Sequence, residues 1–328
     1  MSNIDSGTMI ILAYPEASCT MTPSWYRPIL SQMGVLKNNK ICAGHSAILL
    51  ISKKTGELFY TDFGRYITAN GYGRTRTKYT DPELNFDVLA QFNQSGELLN
   101  FEEILKTIAS HPEKTHGTGI MYASVHNNIN IKTALQTATQ FVDSGSISYA
   151  PFSNGASNCS RYVGSVIQAG LSTKQEKLKF KLKSIPVSSP LSNVFYGKSI
   201  TDLIYTVNND NLNTVTQYNW FDTLKYFFNS EAINNSNEKI IIQPDENFQW
   251  LSGLGSGSWF GLFAQDIKEQ LFRIQRIENN GMISFDHVFK VQDKRFNLMS
   301  PYQFIFDCNA LLCTVVQDGY KVRFNNIQ

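Results

Sequence analysis

The chain has 328 residues, with 29 Lys and Arg against 27 Asp and Glu, a net charge of +2 and only 17% charged residues. This near-neutral balance, with no basic stripe interleaved with aromatics, argues against a nucleic-acid or anionic-membrane binder. Hydrophobic content of 42% and aromatic content of 12% suffice for a substantial core, and the length favours two domains or one large domain with an appendage.

Met1 to Thr8 lacks Lys and Arg, and the apolar run Met9 to Ala13 is too short for a signal-peptide core. No stretch approaches the roughly 20 apolar residues of a membrane helix. A cytoplasmic protein is expected, with export by a route that needs no classical signal as the alternative. The cysteines at 19, 42, 159, 308 and 313 are odd in number, scattered and free of CxxC spacing. Neither a disulfide framework nor a structural metal is expected, and nothing calls for a cofactor.

Thr8 to Tyr14 reads as a short buried strand ended by Pro15. Pro23 to Met33 reads as a short helix, interrupted near Pro28 and closed by Gly34. Cys42 to Ile51 and Leu58 to Phe63 are strand-like and are joined by a polar turn containing Gly56, which makes a hairpin. His45 opens the first strand and Asp62 lies near the end of the second, so the pairing brings them close. Tyr60 shares a face with Asp62, because side chains alternate along a strand. Phe63 to Thr80 lacks periodicity and reads as a loop shaping a cleft. Arg65, Arg74 and Arg76 within it are candidate contacts for a carboxylate-bearing substrate, or else are solvated or pair with Asp81 and Glu83.

Leu84 to Phe92 alternates like a strand. Asn100 to Ser110 looks like an amphipathic helix capped by Asn100, with Glu103 three residues on. Gly119 to Val125 reads as a strand, and Asn130 to Ser144 as a helix with Ile131, Ala134, Leu135, Ala138, Phe141 and Val142 on one side. A loop of small and polar residues, Ser153 to Ser157, then runs into a helical pattern whose apolar face is Tyr162, Val163, Val166 and Ile167, with Gly170 as the stop. Cys159 thus lies at a helix N-terminus, where free backbone N–H groups and the helix dipole favour the nucleophilic thiolate. The alternative is a small buried thiol.

Lys174 to Lys183 is a basic run that reads as a solvated face. Trp220 to Phe228 is helix-like. From Phe248 onward, short alternating segments with turns at Glu278–Gly281 and Gln317–Gly319 suggest an antiparallel barrel or sandwich. Leu251 to Gly261 is rich in glycine but lacks the Lys-Ser/Thr ending of a nucleotide loop. It reads as a turn packing Trp250 and Trp259 against the preceding part.

Thiol catalysis needs a base within reach, held by a third polar group. His111 and His116 sit in a polar loop, His126 lies beside two asparagines in an apparent turn, and His287 belongs to the C-terminal strands. His45 alone opens an apolar strand, and only Cys159 and His45 combine an element terminus with small polar neighbours. A strand beginning Gly44-His45-Ser46-Ala47, a following strand with a polar residue, and a later Asn158-Cys159 opening a helix with Tyr162-Val163 resemble the circularly permuted papain-like superfamily. That group includes NlpC-type cell-wall peptidase relatives and lecithin:retinol acyltransferase-like proteins. The resemblance covers residues 8 to 170, and the histidine precedes the cysteine, as permutation requires. Thr61 to Tyr66 with the β-rich C-terminal part also resembles an uncharacterised bacterial family.

The resemblance implies Cys159 as nucleophile, His45 as general base and Asp62 as third member, with Tyr60 its competitor. The helix start would supply the oxyanion hole. Asn158, Ser160, Tyr60 and Arg65 are the further candidate contacts. The fold class expected is α+β, a permuted papain-like domain with an antiparallel sheet and helices (1–185), a connecting segment (186–245) and a small β-rich domain (246–328). The expected activity is a cysteine hydrolase on peptide or peptidoglycan-like amides. An acyltransferase or thioesterase, an inactive scaffold binding a protein partner through the C-terminal domain, and a secreted toxin or effector are the alternatives.

Overall fold

The computed structural model describes residues 6–21, 27–151, 153–184, 188–199, 203–208, 211–215, 217, 220–228 and 244–327. The strands of the first part are β1 (Ser6–Tyr14), β2 (Cys19–Thr20), β3 (Lys40–Ile41), β4 (His45–Ser52), β5 (Leu58–Gly64), β6 (Tyr72–Thr77), β7 (Met121–Asn130), β8 (Ile147–Ser148), β9 (Ile204–Asn208) and β10 (Asn211–Val215). β2 and β3 form a separate ribbon, and the other eight make one sheet in the order β10-β9-β7-β1-β4-β5-β6-β8. Its pairs are antiparallel throughout. The helices are α1 (Arg27–Gln32), α2 (Phe101–Ala109), α3 (Pro112–Thr115), α4 (Ile131–Asp143), α5 (Cys159–Gly170), α6 (Lys174–Lys183), α7 (Pro190–Gly197) and α8 (Trp220–Phe227).

β1 and β4 read as continuous apolar runs because both faces of the sheet are covered. Met9, Ile11, Ile48 and Leu50 pack against Ala134 and Ala138 of α4, Tyr162 and Val166 of α5 and Val194 of α7. Ile10, Leu12, Leu49 and Ile51 face the other way, onto Ile104, Leu105 and Ile108 of α2. Each fully buried aliphatic side chain of this kind contributes about 1.5–3 kcal/mol. A one-residue slip of β4 against β1 would exchange its two core faces, so the register Ala13↔Ser46 and Tyr14↔His45 is strongly specified.

The C-terminal strands are β11 (Phe248–Ser252), β12 (Gly257–Asp266), β13 (Leu271–Glu278), β14 (Ile283–Val291), β15 (Gln303–Ile305), β16 (Leu312–Gln317) and β17 (Tyr320–Asn326). They form a second antiparallel sheet in the order β11-β12-β13-β14-β17-β16-β15. The Gln249 side chain joins the two edges, donating to Tyr302 O at 3.0 Å and accepting from Phe304 N at 2.9 Å, so the sheet curls nearly into a barrel. Phe260, Phe272, Phe289, Cys308, Cys313 and Phe324 fill it. Between β16 and β17 the two-residue turn Asp318-Gly319 has φ of 49° and 80°, the left-handed pair a tight hairpin needs. The chain is therefore α+β with a β-rich C-terminal part.

A buried ion cluster joins the two sheets. Arg276 of β13, 3% exposed, contacts Asp81 at 2.8 Å, Glu83 at 3.1 Å and Glu278 at 2.6 Å. Arg74 of β6 grips Asp81 through two bonds of 2.6 and 2.7 Å. Asp81 is held well below the usual carboxylate range: burial opposes ionisation, and the Arg74 charge and hydrogen bond outweigh it.

Several sequence expectations need correction. Residues 84–92 are not a strand. Leu84, Phe86 and Ala90 alternate inward, but apart from the bridge of Phe92 to Leu98 no ladder forms. Residues 72–77, read as loop, are β6; of its buried arginines, Arg74 makes the expected alternative pairing with Asp81 and Arg76 pairs with Asp62 instead. Asn100 precedes α2 without capping it, because its carboxamide oxygen accepts from Gln91 N instead. Lys174 to Lys183 does present the expected solvated basic face, on a helix with a Thr173–Glu176 capping box whose one buried residue is Phe180. His126 lies within β7, buried, with Nδ1 donating to Gly197 O at 2.8 Å. Pro28 sits at the second position of α1, where a missing N–H costs nothing, and does not interrupt it. The start of that expected helix, residues 23–26, and much of the connecting segment 186–245 lie outside the described residues.

Candidate active site

The β4–β5 hairpin sets Ala47 opposite Asp62, which aims the Asp62 carboxylate back toward His45. His45 Nε2 donates to Asp62 Oδ2 at 3.1 Å, which leaves Nδ1 as the ring nitrogen available to a nucleophile. Cys159 is the first residue of α5, and its thiol and the His45 ring lie near enough for each to shift the other's ionisation. Residues far apart in sequence thus converge where two strands and a helix start meet.

The electrostatics follow from this contact. Burial opposes the imidazolium, but the hydrogen bonds and charges of Asp62 and Cys159 outweigh it and push His45 up to about 9. Burial likewise opposes the Cys159 thiolate, but the His45 hydrogen bond and charge lower that thiol from its ordinary value. The two shifts together favour a thiolate–imidazolium pair. The start of α5 adds free N–H groups and the positive end of its dipole.

Asp62 is fully buried and densely bonded. Arg76 grips it at 3.0 and 2.6 Å, and Tyr60 and Tyr66 donate hydroxyls at 3.3 and 3.0 Å. Its burial favours the neutral acid, but the Arg76 charge and the bonds from His45 and Arg76 hold it well below the usual carboxylate range. The Tyr60 hydroxyl is bonded to Asp62. Tyr66, not singled out in the sequence, lies 3.2 Å from His45 Nε2 and under the Arg76 guanidinium, 3.7 Å from ring centroid. Tyr14 stacks parallel to the imidazole on another side, at 6.3 Å.

Asn158 caps α5, its side chain accepting from Arg161 N at 2.9 Å, so it positions the helix start. Ser160 Oγ and the Tyr149 hydroxyl stand 3.9 and 4.0 Å from the Cys159 sulfur. A cleft of about 290 Å³ opens here, lined among others by Cys19, Gly44, His45, Arg65, His116 and Tyr149. His116, read as part of a polar loop, is missed by sequence reasoning. It has left-handed φ, packs on Tyr66 at 5.0 Å, and is held neutral by burial and by the Arg76 charge.

The C-terminal sheet supplies one wall of this cleft. In the β11–β12 turn, Gly255 N donates to Arg65 O at 2.9 Å, and Leu254 and Gly255 line the cleft. The glycines are required, since a Cβ at Gly253 would stand 2.5 Å from Ile67 N and 2.8 Å from Arg65 O. Thus the glycine backbone, not the tryptophans, makes this contact, while Trp250 and Trp259 pair with each other across β11 and β12 at 5.2 Å.

Among the described residues, no helix is long and apolar enough to cross a membrane and no His/Cys/Asp/Glu cluster has the form of a metal site. No curated protein matches the chain. Among solved structures, the crystal structure of the Type VI secretion system effector TseH aligns over 66% of this chain and 100% of its own, at 15% identity and a TM-score of 0.42. A family described as the DUF6695 C-terminal domain matches residues 248–327. A second family, described as Type VI secretion system effector TseH-like, matches residues 9–176, a span that includes His45, Asp62 and Cys159. That match extends over just more than half of the sequence, and the chain belongs to the Type VI secretion system effector TseH-like family.

Proposed function

We propose that the chain is a cysteine hydrolase of the amidase or peptidase type, built on the permuted papain-like plan and acting as a secreted effector. The observation that carries this reading is the Cys159–His45–Asp62 arrangement, in which a buried carboxylate bonds one imidazole and a helix-start thiol is lowered by that same ring. In this reading, the Cys159 thiolate attacks an amide carbonyl, and the oxyanion forms against the N–H groups at the start of α5. The His45 imidazolium gives its proton to the departing amine as the C–N bond breaks, leaving a thioester. His45, now neutral, takes a proton from water, whose oxygen attacks the thioester carbonyl, and the acid leaves as the thiol returns. Asp62 orients the ring throughout and stabilises its cationic form, while Arg76 keeps Asp62 ionised.

Peptide or peptidoglycan-like amides suit the reading, and the family membership supports an effector role. The test pairs chemistry with phenotype. Iodoacetamide at neutral pH should alkylate Cys159 stoichiometrically and ahead of Cys42, Cys308 and Cys313, which are buried as Cys159 is but lack its imidazole partner. Cells expressing the chain should be harmed, and Cys159→Ala should abolish the harm. A Cys159→Ala variant as harmful as the parent would refute the proposal.

A further inference from the structure

The three arginines between Arg65 and Arg76 do different things. Arg74 and Arg76 are consumed by carboxylates, Asp81 and Asp62 respectively, each through paired bonds. Arg65 is also nine-tenths buried, at 7% exposed, yet among the described residues no carboxylate and no backbone oxygen accepts from its guanidinium. It lines the cleft with Cys19, on whose thiol its charge acts, and lies over the Tyr149 ring at 4.9 Å from the centroid. The Tyr149 hydroxyl in turn reaches toward the Cys159 sulfur at 4.0 Å. One aromatic ring therefore separates an unpaired, largely dehydrated guanidinium from the thiol. A buried cation without a counter-charge is costly, and an anion entering the cleft would relieve that cost.

We infer that Arg65 is a substrate-binding residue whose planar fork takes a carboxylate carried by the substrate within about one to two residues of the carbonyl that Cys159 attacks. The inference rests on the proposed hydrolase reading and narrows it to acidic peptide-type amides. The Tyr149 ring lies beneath the guanidinium, and the Gly255 N–H bond to Arg65 O fixes the backbone from the C-terminal side.

The test needs no natural substrate. Iodoacetate and iodoacetamide deliver the same alkyl group to a thiolate, and only the first carries a carboxylate. At pH 7 and low fixed ionic strength, the wild-type protein should favour iodoacetate at Cys159. Arg65→Gln should lower the iodoacetate-to-iodoacetamide rate ratio about tenfold, the scale of a lost charge-assisted contact, with the iodoacetamide rate nearly unchanged. Arg65→Lys, which keeps the charge and loses the fork, should fall between the two and guards against a folding defect in the first variant. Unchanged ratios in both variants overturn the inference while leaving the hydrolase reading intact. Failure of iodoacetamide itself to label wild-type Cys159 overturns that reading and the inference with it.

Discussion

Replacing His45 with Gln separates an activated nucleophile from a passively buried thiol. In the wild-type protein, the imidazolium is what outweighs burial and lowers the Cys159 thiol. Without it, the leading influence that lowers the thiol is gone and burial is opposed only by Ser160, Tyr149 and the helix start; a thiol at its ordinary value of about 8.5 is only about 1% thiolate at pH 6.5. Iodoacetamide labelling of Cys159 at pH 6.5, followed by intact mass, should therefore slow by at least tenfold and by about 100-fold at most. The stability effect has a definite sign. The folded-state value of His45 is raised from 6.5 to about 9, so its contribution is complete below pH 6.5 and is lost as pH rises through 9. Denaturant unfolding should show His45→Gln less stable by roughly 3 kcal/mol at most below pH 6.5, with the gap closing toward pH 9. The fold itself should survive, because Asp62 keeps its two bonds from Arg76. Labelling at pH 6.5 within threefold of wild type, in a folded variant, would refute the ion-pair argument.

Two further perturbations address the frame around the site. Arg276→Met should cost about 3–5 kcal/mol, because it takes the bonded cation from the buried Glu83 and the partly buried Glu278 while Asp81 keeps Arg74; urea unfolding measures this, and a loss below 1 kcal/mol would contradict the cluster's role. Gly253→Ala should displace the β11–β12 turn from Ile67 at a cost of about 1–3 kcal/mol, since backbone atoms leave the new methyl no room. Limited proteolysis should then cut the variant's turn faster than the wild type's, and equal cutting would count against the close approach.

The parts of the fold legible in the sequence were those in which one local signal sufficed. β1 and β4 were readable because burial on both faces makes an unbroken apolar run, and α4 and α5 because small or apolar residues recur at helical spacing. The hairpin that sets His45 near Asp62 followed from a glycine-containing turn between two such runs. β6 was illegible because its inward residues include arginines, and a buried arginine differs from a solvated one only through a distant partner such as Asp62 or Asp81. Tyr66 and His116 were missed for the same reason, since their positions depend on where the chain after β5 folds back over the imidazole. The seating of Gly255 on Arg65 joins two segments nearly two hundred residues apart, and no local pattern announces it.

That seating has a consequence for how the protein comes into being. Residues 9–176 carry the thiol, the imidazole and the carboxylate, and they are synthesised before the turn that walls the cleft. Domains generally fold as units in the order in which they emerge. The reactive groups therefore assemble first beside an open trench, and the trench gains its far side only when the last sheet has formed. The final shape of the cleft is a property of the finished chain.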